Sequence, residues 1–154
     1  MSYAVVDSPL GPLTLVERDG AVAGLYMTEH RHMPVVPGDR DDTALPALQE
    51  QLTAYFARDL KEFDVPLAVA GTPFQQRVWE ALTQIPYAET WSYAELAAHV
   101  GSPRAVRAVG LANGRNPVSI VVPCHRVVGS NGSLTGYGGG VERKQQLLDL
   151  ERGH

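Results

Sequence analysis

The chain of 154 residues holds one cysteine, Cys124, and the residue after it is a histidine, His125. A thiol is a strong nucleophile only as thiolate, and an unperturbed cysteine is ionised to only a few per cent near neutral pH. A base within reach, such as an imidazole, would raise that fraction. The pair therefore predicts a placed nucleophile, although free cysteines are also commonly buried as small, inert hydrophobic residues.

The residues around Cys124 predict how it is presented. Residues 118–122 are rich in β-branched side chains and predict a short buried strand. Pro123 cannot donate to a strand ladder, so we expect the strand to end there with Cys124 at its tip. Neighbouring strand residues point to opposite faces, so His125 is expected to act from non-strand backbone or through a water.

Two short helices before this strand predict a helix-turn-helix. Ser92 begins a capping box, and the helix that it opens is expected to end at Gly101. We expect Ser102 to cap a second helix over residues 104–113, with Pro103 at its start. Such a pair presents a recognition helix to DNA, but packed helices with this turn also occur in proteins that never touch DNA.

Charge is distributed unevenly along the chain. The formal net charge is −4, but residues 1–70 carry 5 basic and 11 acidic side chains, whereas residues 71–154 carry 8 basic and 6 acidic ones. Residues 101–141 contain no acidic side chain. A local basic stripe suits a polyanion, yet a solvated helix face would have the same composition. The arginines of this stretch are Arg104, Arg107, Arg115 and Arg126.

The first half of the chain predicts a small antiparallel sheet followed by a helix. Residues 30–42 are polar and contain prolines, so we expect a loop, and residues 43–58 carry apolar side chains at helical spacing. His30 and His32 in the loop lack a third metal ligand, and we predict no metal site. The predicted strands of the meander span residues 3–7, 13–18 and 22–27.

We place a domain boundary where the charge balance changes, so that the predicted domains span residues 1–70 and 71–154. Thr72 then opens a capping box and a helix to about Gln84. After the cysteine, residues 129–132 predict a hairpin turn. They are followed by a predicted glycine-rich loop over residues 134–140 and a last helix over residues 141–151.

Several classes of protein are excluded by simple features. A single cysteine excludes an intrachain disulfide, and thiol chemistry suits a reducing compartment. We see no basic leader and no apolar run long enough to span a membrane, so a cytoplasmic location without membrane association is expected. The glycine-rich loop lacks the Lys-Ser/Thr pair of a P-loop, which excludes a nucleoside triphosphate site there.

The box Pro123-Cys124-His125-Arg126-Val127 resembles the O6-alkylguanine-DNA alkyltransferase family, and the similarity covers residues 71–151. The resemblance implies an α+β fold. An N-terminal ribonuclease-H-like α/β domain would precede a C-terminal winged-helix-like domain that holds the thiol and the helix-turn-helix. The other matching segments are residues 71–75, 85–90, 92–93, 107–110, 116–117 and 135–137.

The resemblance implies direct DNA repair, in which an alkyl group moves from O6 of guanine in duplex DNA onto Cys124 after the base has left the stack. The product is a thioether that no simple step reverses, so each molecule would act once. No cofactor is implied. The partner would be double-stranded DNA carrying O6-alkylguanine, bound by a monomer, with cooperative binding on DNA left open.

Catalytic roles also follow from the resemblance. Glu151 would orient His125, and His125 would act on Cys124 through a water, in the manner of a catalytic triad. Asn116 would brace the turn before the cysteine. Tyr93 would donate to the guanine as it leaves.

For DNA, the resemblance implies a helix in the minor groove. Arg107 would enter the duplex where the guanine was, because a planar guanidinium stacks and donates well. The other expected DNA contacts are Tyr93, Arg104, Ala105, Val106 and Ser130. The residues expected to line the substrate pocket are Val127, Tyr137, Gly138 and Gly139.

The chain departs from the family pattern in a few places. Ala88 stands where the family usually has glycine, and we expect this change to be neutral. Gly138 and Gly139 replace bulkier residues of many members, which predicts a wider pocket. Some members bind zinc through N-terminal cysteines and histidines, but Cys124 is the only cysteine here, so that site is not expected.

Two other functions fit part of these residues. A sensor that binds alkylated guanine without reacting would share the helix-turn-helix, but relatives of that kind lack the cysteine. A thiol enzyme that does not act on DNA would turn over and yield more product than protein.

Overall fold

A computed structural model describes residues 1–28, 38–134 and 137–153. The strands of its first half are β1 (Ser2–Val6), β2 (Leu13–Arg18), β3 (Ala21–Met27) and β4 (Asp39–Arg40). They form a sheet of order β3-β2-β1-β4, in which β1, β2 and β3 are the predicted antiparallel meander. Asp19 and Gly20 adopt φ values of 52° and 80°, as the two-residue turn between β2 and β3 requires.

The segment after β3 is not entirely the loop that we predicted, because β4 pairs in parallel with β1. His30 and His32 lie outside the described residues. The helix that follows, α1 (Pro46–Phe56), is shorter than predicted at both ends. Leu45 before it has a left-handed φ of 52°, which ends the helical geometry there. The buried face of α1 contains Leu48, Leu52 and Tyr55.

Within the described residues, four further α-helices follow, and two of them begin at predicted capping boxes. They are α2 (Pro73–Leu82), α3 (Tyr93–His99), α4 (Val106–Gly114) and α5 (Val141–Arg152). The Thr72 side chain accepts from the Gln75 N–H at 3.1 Å, and the Ser92 side chain accepts from the Glu95 N–H at 3.0 Å. These bonds satisfy N–H groups that the first helical turn leaves without partners.

The second helix of the predicted helix-turn-helix begins at Val106 instead of Arg104. The Ala105 N–H donates to the Ser102 carbonyl at 2.8 Å, which closes a turn over the residues between them. Ala105 is the N-cap, and no side chain caps α4, so the predicted cap at Ser102 is wrong. Arg104 therefore lies in the turn before the helix and not on it.

The strand predicted over residues 118–122 is also wrong. Val118 alone forms a bridge, with Leu25 of β3, and the chain then turns. The Val122 N–H donates to the Val118 carbonyl at 3.0 Å, and Ile120 adopts a left-handed φ of 74°. Such a tight turn cannot form a ladder, although its side chains are buried as a strand's would be.

The cysteine lies on a single turn of 3-10 helix, Cys124–Arg126, and not at a strand tip. A two-residue strand, β6 (Val127–Val128), follows and pairs in parallel with β5 (Trp91–Ser92). Residues 129–132 form the predicted turn, with the Gly129 N–H donating to the Ser133 carbonyl at 2.8 Å. It is not a hairpin turn, because the partner of β6 is β5.

Buried apolar side chains from both halves form one cluster, which confirms the mixed α+β architecture and shows that the sheet and the helices share a core. Ala4, Leu15 and Leu25 of the sheet belong to it, together with Leu82 of α2 and Leu147 of α5. In the part of the chain that the structure describes, no helix has both the length and the apolar character needed to cross a membrane.

Candidate active site

The carboxylate of Glu151, in the last turn of α5, is the centre of a buried hydrogen-bond network. Its side chain is 0% exposed and accepts five hydrogen bonds. His125 Nε2 lies 2.7 Å from Oε2, and the Tyr55 hydroxyl donates to the same oxygen at 2.6 Å. Arg126 donates to both oxygens at 2.9 and 3.0 Å, and the Ala88 N–H donates to Oε1 at 3.2 Å.

These contacts decide the charge of Glu151. Burial alone would raise its pKa, but the hydrogen bonds and charges of His125 and Arg126 outweigh burial and hold the pKa of Glu151 well below its usual range. Glu151 is therefore an ionised acceptor. The predicted pair of Glu151 and His125 is in contact, and Glu151 is not a solvated charge at a helix end.

The ionised carboxylate also fixes the tautomer of His125. A carboxylate only accepts, so the proton of the neutral ring must lie on Nε2, and Nδ1 keeps its lone pair. Burial lowers the pKa of His125, against the opposing effect of Glu151, and the ring is neutral near pH 7. Nδ1 is buried and makes no hydrogen bond within the described residues. The imidazole is thus set up as a base through Nδ1.

Cys124 is 4% exposed, and its burial raises the pKa of the thiol. A hydrogen bond from Asn116 and the charge of Lys144 oppose that effect without cancelling it. The thiol is therefore neutral at rest, although a base within reach was expected to raise its ionised fraction. A base must remove its proton during the reaction. His125 follows it on the 3-10 turn, which is non-strand backbone as expected.

Asn116 holds the turn that precedes the cysteine. Its Oδ1 accepts from the Val118 N–H at 3.1 Å, and its Nδ2 donates to the Val122 carbonyl at 2.8 Å. These bonds pair backbone groups of a segment whose bridge to a strand is confined to Val118. Asn113 on α4 donates weakly to the Cys124 carbonyl, at 3.5 Å. Sequence reasoning missed Asn113. The one signal that the sequence offers for it is its position on the buried face of α4.

Lys144 was also missed. It lies on α5 and is 0% exposed, with Nζ 5.9 Å from the centre of the Tyr93 ring. Burial lowers the pKa of Lys144 to about 8, although a negative charge on Cys124 would act in the opposite direction. Lys144 precedes Glu151 by two helical turns, so both lie on one face of α5. This spacing is a sequence signal that could have identified Lys144.

Tyr93 is the first residue of α3 and is partly buried. A Cβ atom built at Gly110 of α4 would lie 3.6 Å from the Tyr93 ring. The structure thus places Tyr93 between α4 and Lys144, on the side of the site where the DNA contacts are expected.

The expected pocket residues lie on β6 and in the segment that leads into α5. Val127 is 0% exposed and Tyr137 is 3% exposed. A Cβ atom at Gly139 would lie 2.5 Å from Met27 Sδ and 2.9 Å from the Tyr137 ring, whereas Gly138 is partly exposed. The space that a larger residue would need at Gly139 is therefore filled by Met27 of β3, a residue that sequence reasoning did not connect with the pocket.

Four of the residues expected to contact DNA lie in the turn before α4 or in its first turn. Arg104 and Arg107 are exposed, Val106 is 36% exposed, and Ala105 is partly buried at the N-terminus of the helix. Ser130 is exposed in the turn after β6. One residue of the predicted basic stripe lies elsewhere.

That residue is Arg126, which is only 6% exposed and pairs with Glu151. Arg126 therefore belongs to the buried hydrogen-bond network of Glu151 and not to a basic surface. Ala88 also differs from expectation. Its φ of 68° is a left-handed conformation that favours glycine, so the change from the family's usual residue carries strain of about 1 kcal/mol instead of being neutral.

Two family models match the chain. Residues 1–69 match the ribonuclease-like domain, and residues 73–153 the DNA binding domain, of 6-O-methylguanine DNA methyltransferase. A methylated-DNA--protein-cysteine methyltransferase of Mycolicibacterium paratuberculosis is 54% identical over 100% of this chain and 94% of its own length. A constitutive one of Bacillus subtilis is 45% identical over 97% of this chain and 94% of its own. The crystal structure of Mycobacterium tuberculosis OGT in complex with DNA matches with a TM-score of 0.96 and 52% identity, over 99% of this chain and 94% of that one.

Proposed function

Because the chain belongs to the O6-methylguanine DNA methyltransferase family, we propose that it repairs duplex DNA by moving an alkyl group from O6 of guanine onto Sγ of Cys124. The observation that supports particular catalytic residues is the buried series Glu151, His125 and Cys124, which we call the relay. His125 donates through Nε2 to an ionised Glu151, keeps a lone pair on Nδ1, and follows directly on the only cysteine.

The reaction begins with the proton of the Cys124 thiol, which passes to Nδ1 of His125 through a water. The imidazolium that forms faces the ionised Glu151, so its charge is neutralised where it appears. Lys144 stabilises the developing thiolate, since its charge lowers the pKa of Cys124. Sulfur then attacks the alkyl carbon. An S–C bond forms as the C–O6 bond breaks, and the guanine leaves with the electron pair while Tyr93 donates a hydrogen bond to it.

The S–C bond of the thioether that remains is stable, because a thiolate is a poor leaving group from an alkyl carbon. Cys124 is the only cysteine in the chain, so no second thiol is present to accept the alkyl group. The transfer is therefore stoichiometric, with one alkyl group for each protein molecule. The guanine anion takes up a proton, which the imidazolium supplies through water, so His125 regains its neutral form while the nucleophile is spent.

The substrate base must leave the duplex, because the alkyl carbon on O6 cannot reach a protein thiol inside the stack. The exposed guanidinium of Arg107, on α4, fills the gap. Other contacts to the duplex come from the turn and first residues of α4 and from the turn after β6. These residues are Tyr93, Arg104, Ala105, Val106 and Ser130. The extruded base is enclosed by Val127, Tyr137, Gly138 and Gly139.

Two domains, over residues 1–70 and 71–154, divide this work, with the chemistry and the DNA contacts in the second. A monomer in the cytoplasm suits the mechanism, because the reaction needs a reduced thiol and one copy of each catalytic residue. Cooperative binding of several molecules on one duplex is compatible with it. Analytical ultracentrifugation with and without DNA tests the state of assembly.

Mass spectrometry of the intact protein tests the transfer. The protein is incubated with duplex DNA that carries O6-methylguanine with an isotopically labelled methyl group, and Cys124→Ser is treated in the same way. We expect one labelled methyl per wild-type molecule, located on Cys124, and none on the variant. Product in excess of protein would favour a thiol enzyme with turnover. Binding to the lesion without any label on Cys124 would favour a sensor.

A further inference from the structure

Tyr55 belongs to α1 in the first half of the chain, yet its hydroxyl contacts the relay. Tyr55 is 0% exposed, and its hydroxyl donates to Glu151 Oε2 at 2.6 Å, across 96 positions of sequence. Burial, and then the negative charge of Glu151, raise the pKa of Tyr55 far above its ordinary value, so the phenol keeps its proton near neutral pH. Tyr55 is therefore a permanent donor to Glu151.

We propose that Tyr55 is a positioning residue for the alkyl transfer, through which the first half of the chain sets how strongly Glu151 stabilises the charged imidazole of His125. The inference rests on the proposed role of His125 as base. It goes beyond that role because it gives residues 1–70 a direct effect on the chemistry, in addition to any contribution to folding.

Three donors crowd Oε2 of Glu151. This oxygen receives the Tyr55 hydroxyl at 2.6 Å, His125 Nε2 at 2.7 Å and Arg126 Nη2 at 3.0 Å. A carboxylate has about four lone-pair sites, about two on each oxygen, so three donors share the charge of Oε2. The shorter the contact of one donor, the less negative charge is available to the others.

Loss of the Tyr55 hydroxyl therefore strengthens the interaction of Oε2 with His125. The protonated imidazole gains more from this change than the neutral one, because it carries a full charge. The pKa of His125 then rises. The other charged groups that face His125 are Arg126 and Lys144, whose positive charges both lower its pKa, and neither is altered by a change at Tyr55.

A purely structural role for Tyr55 is the alternative. Its ring packs against Phe56 and Phe63 at centroid distances of 5.3 Å each and against Tyr87 at 6.3 Å. If the ring alone matters, removal of the hydroxyl changes the free energy of unfolding but leaves the pH dependence of the reaction unchanged. The two roles therefore differ in a property that stability alone does not report.

The test is Tyr55→Phe, which keeps the ring and removes the hydroxyl. The rate of methyl transfer from O6-methylguanine duplex DNA is measured in single turnover against pH. The rate needs neutral His125, so its acid limb follows the pKa of that residue. We expect the limb to move to higher pH by about half a unit, which is about a threefold loss of rate on the limb, with little change on the plateau.

Tyr87→Phe is the matched control. It removes a hydroxyl from the same aromatic group and keeps the ring beside Arg126, 5.6 Å from the guanidinium carbon. We expect its pH profile to coincide with that of the wild type. Coincident profiles for all three proteins would overturn the proposal, even if Tyr55→Phe proved less stable.

Nuclear magnetic resonance titration of the His125 ring gives a second measurement that does not depend on transfer. The ring should titrate at higher pH in Tyr55→Phe than in the wild type, and an unchanged midpoint would overturn the proposal. Substitution of Tyr55 by 3-fluorotyrosine, a stronger donor, should move the midpoint to lower pH. A wild type that transfers no methyl group would refute the proposed function, whereas the ring titration would still decide the role of Tyr55.

Discussion

Arg126 donates hydrogen bonds from a side chain that is 8% exposed, two to Glu151 at 2.9 and 3.0 Å and one to a backbone carbonyl at 2.8 Å. Arg126→Met keeps an unbranched apolar stem but leaves the buried carboxylate without its cation. Removal of one partner of a buried ion pair typically destabilises a protein by about 3–5 kcal/mol. Three other residues still donate to Glu151, so we expect about 3 kcal/mol near neutral pH.

The loss should depend on pH because Arg126 affects His125. In the wild type, burial lowers the pKa of His125, and the charge of Arg126 lowers it further, against Glu151. The unfolded chain then binds the proton more readily, so wild-type stability decreases as pH falls below about 6.5. In the variant the charge of Arg126 is gone, so we expect the pKa of His125 to rise relative to the wild type. The variant therefore loses less stability than the wild type as pH falls below about 6.5, and its deficit is larger at higher pH.

Urea unfolding of both proteins, near pH 5.5 and near pH 8, measures the difference. The deficit of Arg126→Met should be larger near pH 8 by about 1 kcal/mol or more. Arg107→Met, at an exposed arginine, is the matched control and should unfold like the wild type at both pH values. An equal deficit at the two pH values, or one below about 1 kcal/mol near pH 8, would refute the view that Arg126 neutralises the carboxylate.

Arg107→Ala should weaken binding and transfer on lesion duplex by about tenfold or more, and change reaction with the free alkylated base less, as kinetics on the two substrates would show. Equal losses on both would contradict its role in the duplex. Lys144→Met should slow transfer, because the thiolate loses a stabilising charge, yet it should stabilise the fold by about 1–3 kcal/mol, because a buried charge is removed. An unchanged transfer rate would contradict the role of Lys144 in stabilising the thiolate. Gly139→Ala should destabilise the fold by about 1–3 kcal/mol, because the added methyl group collides with Met27. The double variant with Met27→Ala should lose less stability than the sum of the two single changes, and additive losses would contradict this contact. Ala88→Gly should stabilise the fold by about 0.5–1 kcal/mol in thermal unfolding, and a loss would show that the left-handed backbone is not strained.

The features that could be predicted from the sequence are those with a local cause. The capping boxes at Thr72 and Ser92 need only residues three positions apart, and the structure has both. The meander of β1 to β3 follows from segments rich in strand-forming residues and from a turn at Asp19 and Gly20. The contact of His125 with Glu151 was expected from the resemblance, and the structure places the two groups 2.7 Å apart.

The features that could not be predicted depend on distant partners. Residues 118–122 have strand-like side chains, but the amide of Asn116 pairs their backbone within a turn, which composition does not reveal. The sequence placed Arg126 in a basic stripe, and only the folded chain shows that Glu151 of α5 lies beside it. Tyr55 is an ordinary aromatic residue of a buried helix face by its spacing, and only the folded chain brings it to Glu151.

The contact of Met27 with Gly139 has a consequence for exchange between related proteins. A chimaera that joins the first half of one relative to the second half of another would keep each half's own residues but not necessarily their match. A bulkier residue at position 139 would then collide with the thioether of Met27, and a phenylalanine at position 55 would leave Glu151 one donor short. Active hybrids should therefore be those whose parents have matching residues at positions 27 and 139 and at positions 55 and 151, even where their overall sequence identity is low.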